Sequence, residues 1–142
     1  MSKSLLTHLL VPVATGEDAR TTCDALEPYL EGVERVTAVH VIEKAGGAMD
    51  KAPLEKRQED AADFLAIVES ELAERVAVDT QTVYGADVAD ALFDAATDAK
   101  ADAIAIRARG GSRIVQLLAG NTTSKLVTDP VVPVVSLPHP NQ

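Results

Sequence analysis

Tryptophan is absent from this chain, and phenylalanine and tyrosine occur only twice each. So few rings leave no row of stacking platforms for single-stranded nucleic acid. Cysteine occurs once, at Cys23, which excludes an internal disulfide framework and any cysteine-clustered metal site. Positive charge is scarce too: 13 basic residues stand against 22 acidic ones, a net charge of −9. A surface so charged repels phosphate backbones, and nucleic acid is not an expected partner. No apolar run approaches the length of a membrane span. The first residues, MSKSLLTHLLVPVATG, have a short apolar stretch carrying His8 and Pro12, unlike a secretory leader. These absences lead to the expectation of a soluble, cytoplasmic protein with no membrane partner.

What is present is aliphatic. Hydrophobic residues make up 46% of the chain and aromatic ones 3%, so the core must be built from Val, Leu, Ile and Ala. A length of 142 residues suits a single domain, 1–142, that buries most of the surface its unfolded form exposes. An acidic, aromatic-poor surface also suits a salt-rich solvent, where screening relieves self-repulsion, as in a halophilic organism. An ordinary acidic cytosolic protein has the same composition, and both readings stay open.

Leu9 to Val13, bounded by Thr15-Gly16, reads as a buried strand and its exit turn. A helix is predicted from Glu17 to Leu30, with acidic residues in the first turn where the dipole favours them. Cys23 shares a face of it with Ala19, Leu26 and Leu30, which makes it a core thiol rather than a nucleophile. Val33 to Ile42 alternates as a second strand, with His40 inside it as a structural residue. After a connection at 43–52, Pro53 takes the first position of a helix. Leu54, Ala61, Leu65, Val68, Leu72 and Val76 then recur at helical spacing. Val76 to Tyr84 is a third strand, closed by Gly85. Asp87, Asp90, Asp94 and Asp98 recur opposite Val88, Leu92, Ala95 and Ala99, a helix whose acidic stripe fits a hydrated face better than a metal site. Ala101 to Ala108 is a fourth strand, and Asn121 to Thr128 a helix that Asn121 caps. The last strand is VVPVVSLP, 131–138, whose two prolines suit a sheet edge.

Strands alternating with helices imply an α/β doubly wound fold: a five-stranded parallel sheet with helices on both faces. Ligands bind such sheets beyond the carboxyl ends of the strands, where the strand order reverses. The segment RARGGSRIVQLLAGNTTSK, 107–125, leaves the fourth strand at that end and opens a helix. It holds three arginines and three glycines. Glycine lets backbone N–H groups come close to a bulky anion, and a helix N-terminus adds donors. Gly110 and Gly120 would supply two such approaches, Asn121, Thr122 and Thr123 short donors, and Arg107, Arg109 or Arg113 the counter-charge. A surface loop whose arginines pair with the abundant acids fits the same residues. No nucleophile–base pair emerges from the rest: His8 starts a strand, His40 lies within one and His139 is in the tail. No catalytic residue and no metal site is assigned.

LLTHLLVPVATGEDA, VTAVHVIEKAG, VYGADVADALFDAATDAKADAIAI and RARGGSRIVQLLAGNTTSKLVTDPVVPVVSL resemble, in order, the successive parts of a universal stress protein domain. The resemblance runs over nearly the whole chain. It implies the adenine-nucleotide alpha-hydrolase-like (Rossmann-like) topology and a small regulatory protein of the stress response. ATP-binding members of that family carry G-x-x-G, nine residues, then G followed by Ser or Thr. Gly110, nine residues and Gly120 match the second and third glycines in spacing. The motif is degenerate elsewhere: Arg107 stands at the first glycine and Asn121 at the Ser or Thr, with Thr122 one place later. Ala14 replaces the strand-end Asp that contacts the nucleoside, next to Pro12 and Val13, while Val41 keeps the position whose backbone meets adenine. Arg107 would either bind phosphate or obstruct the ligand's path. The resemblance thus implies ATP, with Mg²⁺, as a cofactor and at most slow hydrolysis; the competing implication is a dimeric interaction module that binds no nucleotide. It also implies a homodimer through the last strand, with Val132, Val134 and Ser136 near the axis.

Overall fold

The computed structural model describes residues 6–43, 51–107 and 122–138, with the backbone alone for 51–52 and 122–124. Among these residues five strands form one sheet: β1 (His8–Pro12), β2 (Arg35–Glu43), β3 (Ala77–Gly85), β4 (Ala103–Arg107) and β5 (Val134–Leu137). All pair in parallel, in the order β3-β2-β1-β4-β5. The α-helices that connect them among the described residues are α1 (Gly16–Leu26), α2 (Lys51–Leu72), α3 (Val88–Ala99) and α4 (Thr122–Thr128). The doubly wound α/β architecture expected from the alternation of elements is the one observed.

The chain winds outward from β1 to β2 and β3, then crosses back to lay β4 on the other side of β1. Right-handed crossovers therefore put α1 and α2 on one face and α3 and α4 on the opposite face. The strand side chains sort accordingly. Leu9, Val11, Val36, Ala38, Ala103 and Ala105 pack with α1 and α2. Leu10, Val39, Ile104 and Ile106 pack with α3 and α4. Continuous apolar runs such as Leu9-Leu10-Val11 are what a strand covered on both faces requires. The core is aliphatic, as the composition demands; Phe93 is its one buried aromatic ring among the described residues.

Several boundaries differ from those predicted, each for a local reason. Helix α1 ends at Leu26 and a 3-10 turn follows over Glu27–Tyr29, where Pro28 cannot donate a helical hydrogen bond. Helix α2 begins at Lys51, so Pro53 is its third residue instead of its first. A first turn has no intrahelical N–H bonds to lose, and proline is tolerated there. Val76 lies past the end of α2 but stays buried, as the entry to β3. Strand β5 is confined to Val134–Leu137, between the two prolines, and it does occupy a sheet edge. Of the connection expected at 43–52, Glu43 ends β2 and 51–52 open α2, while 44–50, like the cap Asn121, lie outside the described residues. Among the described residues no helix is long and apolar enough to cross a membrane.

Candidate functional site

The strand order reverses between β1 and β4, and the carboxyl ends of β1, β2 and β4 lie on the same side of the sheet there. Strand β1 ends on buried Pro12, after which Val13 donates its N–H to Val39 O at 2.9 Å. The Val13 carbonyl accepts from His40 Nδ1 at 2.8 Å, which sets the tautomer with the proton on Nδ1. The His40 ring meets Phe64 edge-on, at 5.4 Å between centroids. His40 is thus a structural donor that pins the exit of β1, in keeping with the reading of its sequence context.

The backbone direction at Val41 follows from the ladder. Val39 turns its carbonyl toward β1. Successive residues of a strand face alternate neighbours, so Val41 turns its N–H and C=O the same way. The pairing of β1 with β2 ends at Pro12 and Val39. The backbone groups of Val41 therefore face the space past the end of β1. The Val41 side chain and Ala14 are half-buried and pack on the cluster beneath α3. Three of the predicted site residues, Pro12, Ala14 and Val41, are brought together at this end, while the Val13 side chain points to the other face, into the α1–α2 cluster.

Arg107 ends β4 on that same α1 face, in phase with Ala103 and Ala105. Its guanidinium is buried, and Nη2 donates to Asp18 Oδ1 at 2.6 Å, with both side chains only 4% and 5% exposed. Nε donates to Thr22 Oγ1 at 3.4 Å, and Thr22 Oγ1 donates to Asp18 Oδ1 at 3.3 Å. The other carboxylate oxygen, Oδ2, accepts the Ala14 N–H at 2.8 Å. Thr15 caps α1 by accepting the Asp18 N–H at 3.0 Å. No buried polar side-chain atom among the described residues lacks a partner.

Asp18 escaped the reading of the sequence beyond its place in an acidic first turn. The spacing Thr15-x-x-Asp18 before an apolar helix face is a capping-box signature and was the signal available for it. Gly110, Gly120 and Asn121 of the predicted cradle, with Arg109 and Arg113, lie outside the described residues. Thr122 and Thr123 open α4, and only their backbone is described. Lys125 in α4 bridges Asp87 and Asp90 at 2.9 and 3.1 Å, tying the start of α3 to α4. The Asp90 N–H and then the Lys125 ammonium hold the Asp87 carboxyl below its usual range. Among the described residues no group of three or more His, Cys, Asp or Glu side chains could hold a metal ion.

The sequence model of the universal stress protein family matches residues 6–138, so the chain belongs to that family. The fold is shared with a universal stress protein family member from Burkholderia pseudomallei, at 21% identity and TM-score 0.73, covering 96% of this chain and 99% of that one. A universal stress protein from Archaeoglobus fulgidus in complex with dAMP is 20% identical, with TM-score 0.64 over 94% of this chain and 99% of that one. A family protein from Arabidopsis thaliana with AMP bound is 15% identical, with TM-score 0.64 over 94% and 92% of the two chains. No curated protein is detectably similar in sequence.

Proposed function

We propose that this protein is a small regulatory protein that binds an adenine nucleotide, AMP or ATP with Mg²⁺, at the carboxyl end of its sheet. The observation that carries the reading is Val41, whose backbone N–H and C=O face the space beyond β1. One donor beside one acceptor is the complement of the adenine edge, where a ring nitrogen accepts and the amino group donates. Arg107 also supports it: with its guanidinium on Asp18 beneath α1, the arginine does not stand on the α3 side, where Ala14 and Val41 lie. Pro12, Ala14 and Val41 would form the nucleoside end; Val13, expected there from the sequence, is turned into the α1–α2 cluster with its N–H and carbonyl both engaged, and only shapes the exit of β1. Gly110, Gly120, Asn121 and Thr122 would form the phosphate end, with Mg²⁺ carried by the triphosphate. Universal stress proteins solved with dAMP and AMP bound lend the same ligand class.

The test is calorimetry with AMP and with ATP plus Mg²⁺. Saturable heat is expected from the wild type, and none from Gly120→Val, whose side chain would fill the space a phosphate needs. A wild type that gives no heat with either nucleotide defeats the reading.

One observation favours a second reading, an interaction module that binds no nucleotide. Ala14 offers the nucleoside no carboxylate, and its N–H is already held by Asp18. On either reading we propose a homodimer through the β5 edge. A cavity of about 280 Å³ lies between that strand and α1, with Leu26, Tyr29, Val135 and Leu137 in its apolar lining. A second copy seated against β5 would cover it.

A further inference from the structure

The β1–β4 ladder is short for the middle of a sheet. It pairs only Leu9 with Ala103 and Leu10 with Ile104. On either side the pairing runs further, β1 with β2 as far as Pro12 and β4 with β5 as far as Arg107. The two central strands therefore part company toward their carboxyl ends, at the point where the proposed ligand enters. Pro12 has no N–H with which to extend the ladder. What spans the gap is side chain: Asp18 holds Arg107 at the end of β4 through one oxygen and the Ala14 N–H at the exit of β1 through the other.

We infer that Arg107 and Asp18 are positioning residues, a buried tie that sets the separation of the two strand exits around the nucleotide end of the sheet. The inference rests on the nucleotide reading above for its functional consequence, but the tie itself does not. A buried ion pair contributes little net stability, because desolvation of both charges offsets their attraction, and apolar replacements are often as stable. Its use is directional. The planar guanidinium presents Nη2 to the carboxylate and Nε to Thr22 Oγ1 at once, so the end of β4 is held in orientation as well as distance. Burial keeps water from exchanging with either partner, since both side chains are nearly inaccessible. The nucleoside end at Ala14 and the point where the chain leaves β4 are in this way parts of one rigid unit.

The double variant Asp18→Asn/Arg107→Met separates positioning from folding. It leaves no buried charge, and the asparagine oxygen can still accept the Ala14 N–H, but the tie to β4 is gone. The measurements are the melting temperature, amide hydrogen exchange at 13–18 and 103–107 without ligand, and AMP affinity by calorimetry. The melting temperature should stay within a few degrees of wild type, while exchange quickens and AMP affinity falls, each by ~10-fold or more, a coupling of the size contacting residues show. Unchanged exchange overturns the inference, and so does unchanged AMP affinity in a variant whose exchange has quickened. If the wild type itself takes up no AMP, the nucleotide reading fails and the exchange data alone decide the tie: quickened upholds it, unchanged overturns it. Should the double variant not fold, Arg107→Lys is measured in its place, because it keeps the charge and loses the planar fork. Exchange and affinity at wild-type values in Arg107→Lys overturn the inference, and a loss in exchange protection, with affinity reduced wherever AMP binds, upholds it.

Discussion

Cys23 is 3% exposed on the inner face of α1, and burial first, then the charges of Glu71, Asp24 and Asp18, pushes its thiol from 9.0 to about 12. The folded chain therefore keeps a proton that the unfolded chain releases. Stability from this group is complete below pH 9 and is lost as pH rises toward 12. Unfolding by urea at a series of pH values above 9 should show wild type losing stability faster than Cys23→Ala. The difference in slope is bounded by one proton, ~1.4 kcal/mol per pH unit. Equal slopes would mean the thiol is not buried as described. This residue was legible because helical spacing alone places it beside Ala19 and Leu26. Asp18 and Arg107 were not, since 89 residues separate them and only the folded topology makes them neighbours. Alternation along β4 puts Arg107 in phase with Ala103 and Ala105, but it does not say which helix waits on that side.

Among the elements, α3 ends in a way its sequence does not advertise. Lys100 follows its last turn in the left-handed conformation, φ 59°, with its N–H accepted by the carbonyls of Ala96 and Thr97. A side chain with a Cβ pays ~1–2 kcal/mol for that backbone, and glycine does not, though glycine loses more entropy on folding. Lys100→Gly should therefore stabilise the domain by roughly 0.5–1 kcal/mol, seen as a rise of a few degrees in melting temperature. A fall would show that the lysine side chain contributes more than the strain it carries. The other helix ends follow cues visible in the sequence. Thr15 caps α1, and Asp87 caps α3 by accepting the Asp90 N–H. Strand existence was equally legible from short aliphatic runs. Boundaries were not: Pro28 ends α1 by lacking a helical N–H, Pro53 sits in a first turn where none is needed, and Pro133 marks the start of β5 by accepting the Ile104 N–H of β4.

For the whole molecule, the acidic faces and the β5 edge give two expectations. With a net charge of −9, carboxylates repel one another across the surface unless salt screens them. If the surface is a high-salt adaptation, melting temperature climbs steeply from dilute buffer to molar KCl, and a flat curve leaves an ordinary acidic protein. Among the described residues no strand pairs with the outer edge of β5, a liability that proteins cover. Ser136 is exposed there, Val132 and Val134 are half-buried, and Val131 beside them is 69% exposed. Sedimentation at micromolar concentration should show a homodimer, and Val134→Lys should return it to monomers without unfolding it. A wild-type monomer would refute the proposed pairing.

The sequence by itself determined the elements, their alternation and hence the parallel, doubly wound sheet, because hydrophobic period and turn chemistry act over a few residues. It also carried the family resemblance, through motifs spread along nearly the whole chain. Tertiary structure alone decided what stands at the switch point. Pairing of β1 with β4 stops early, Val41 turns its backbone toward the space past the end of β1, and Arg107 faces Asp18 under α1. Each of these depends on which strands become neighbours and which face a helix covers, and such long-range choices leave no periodic trace in the residues that make them.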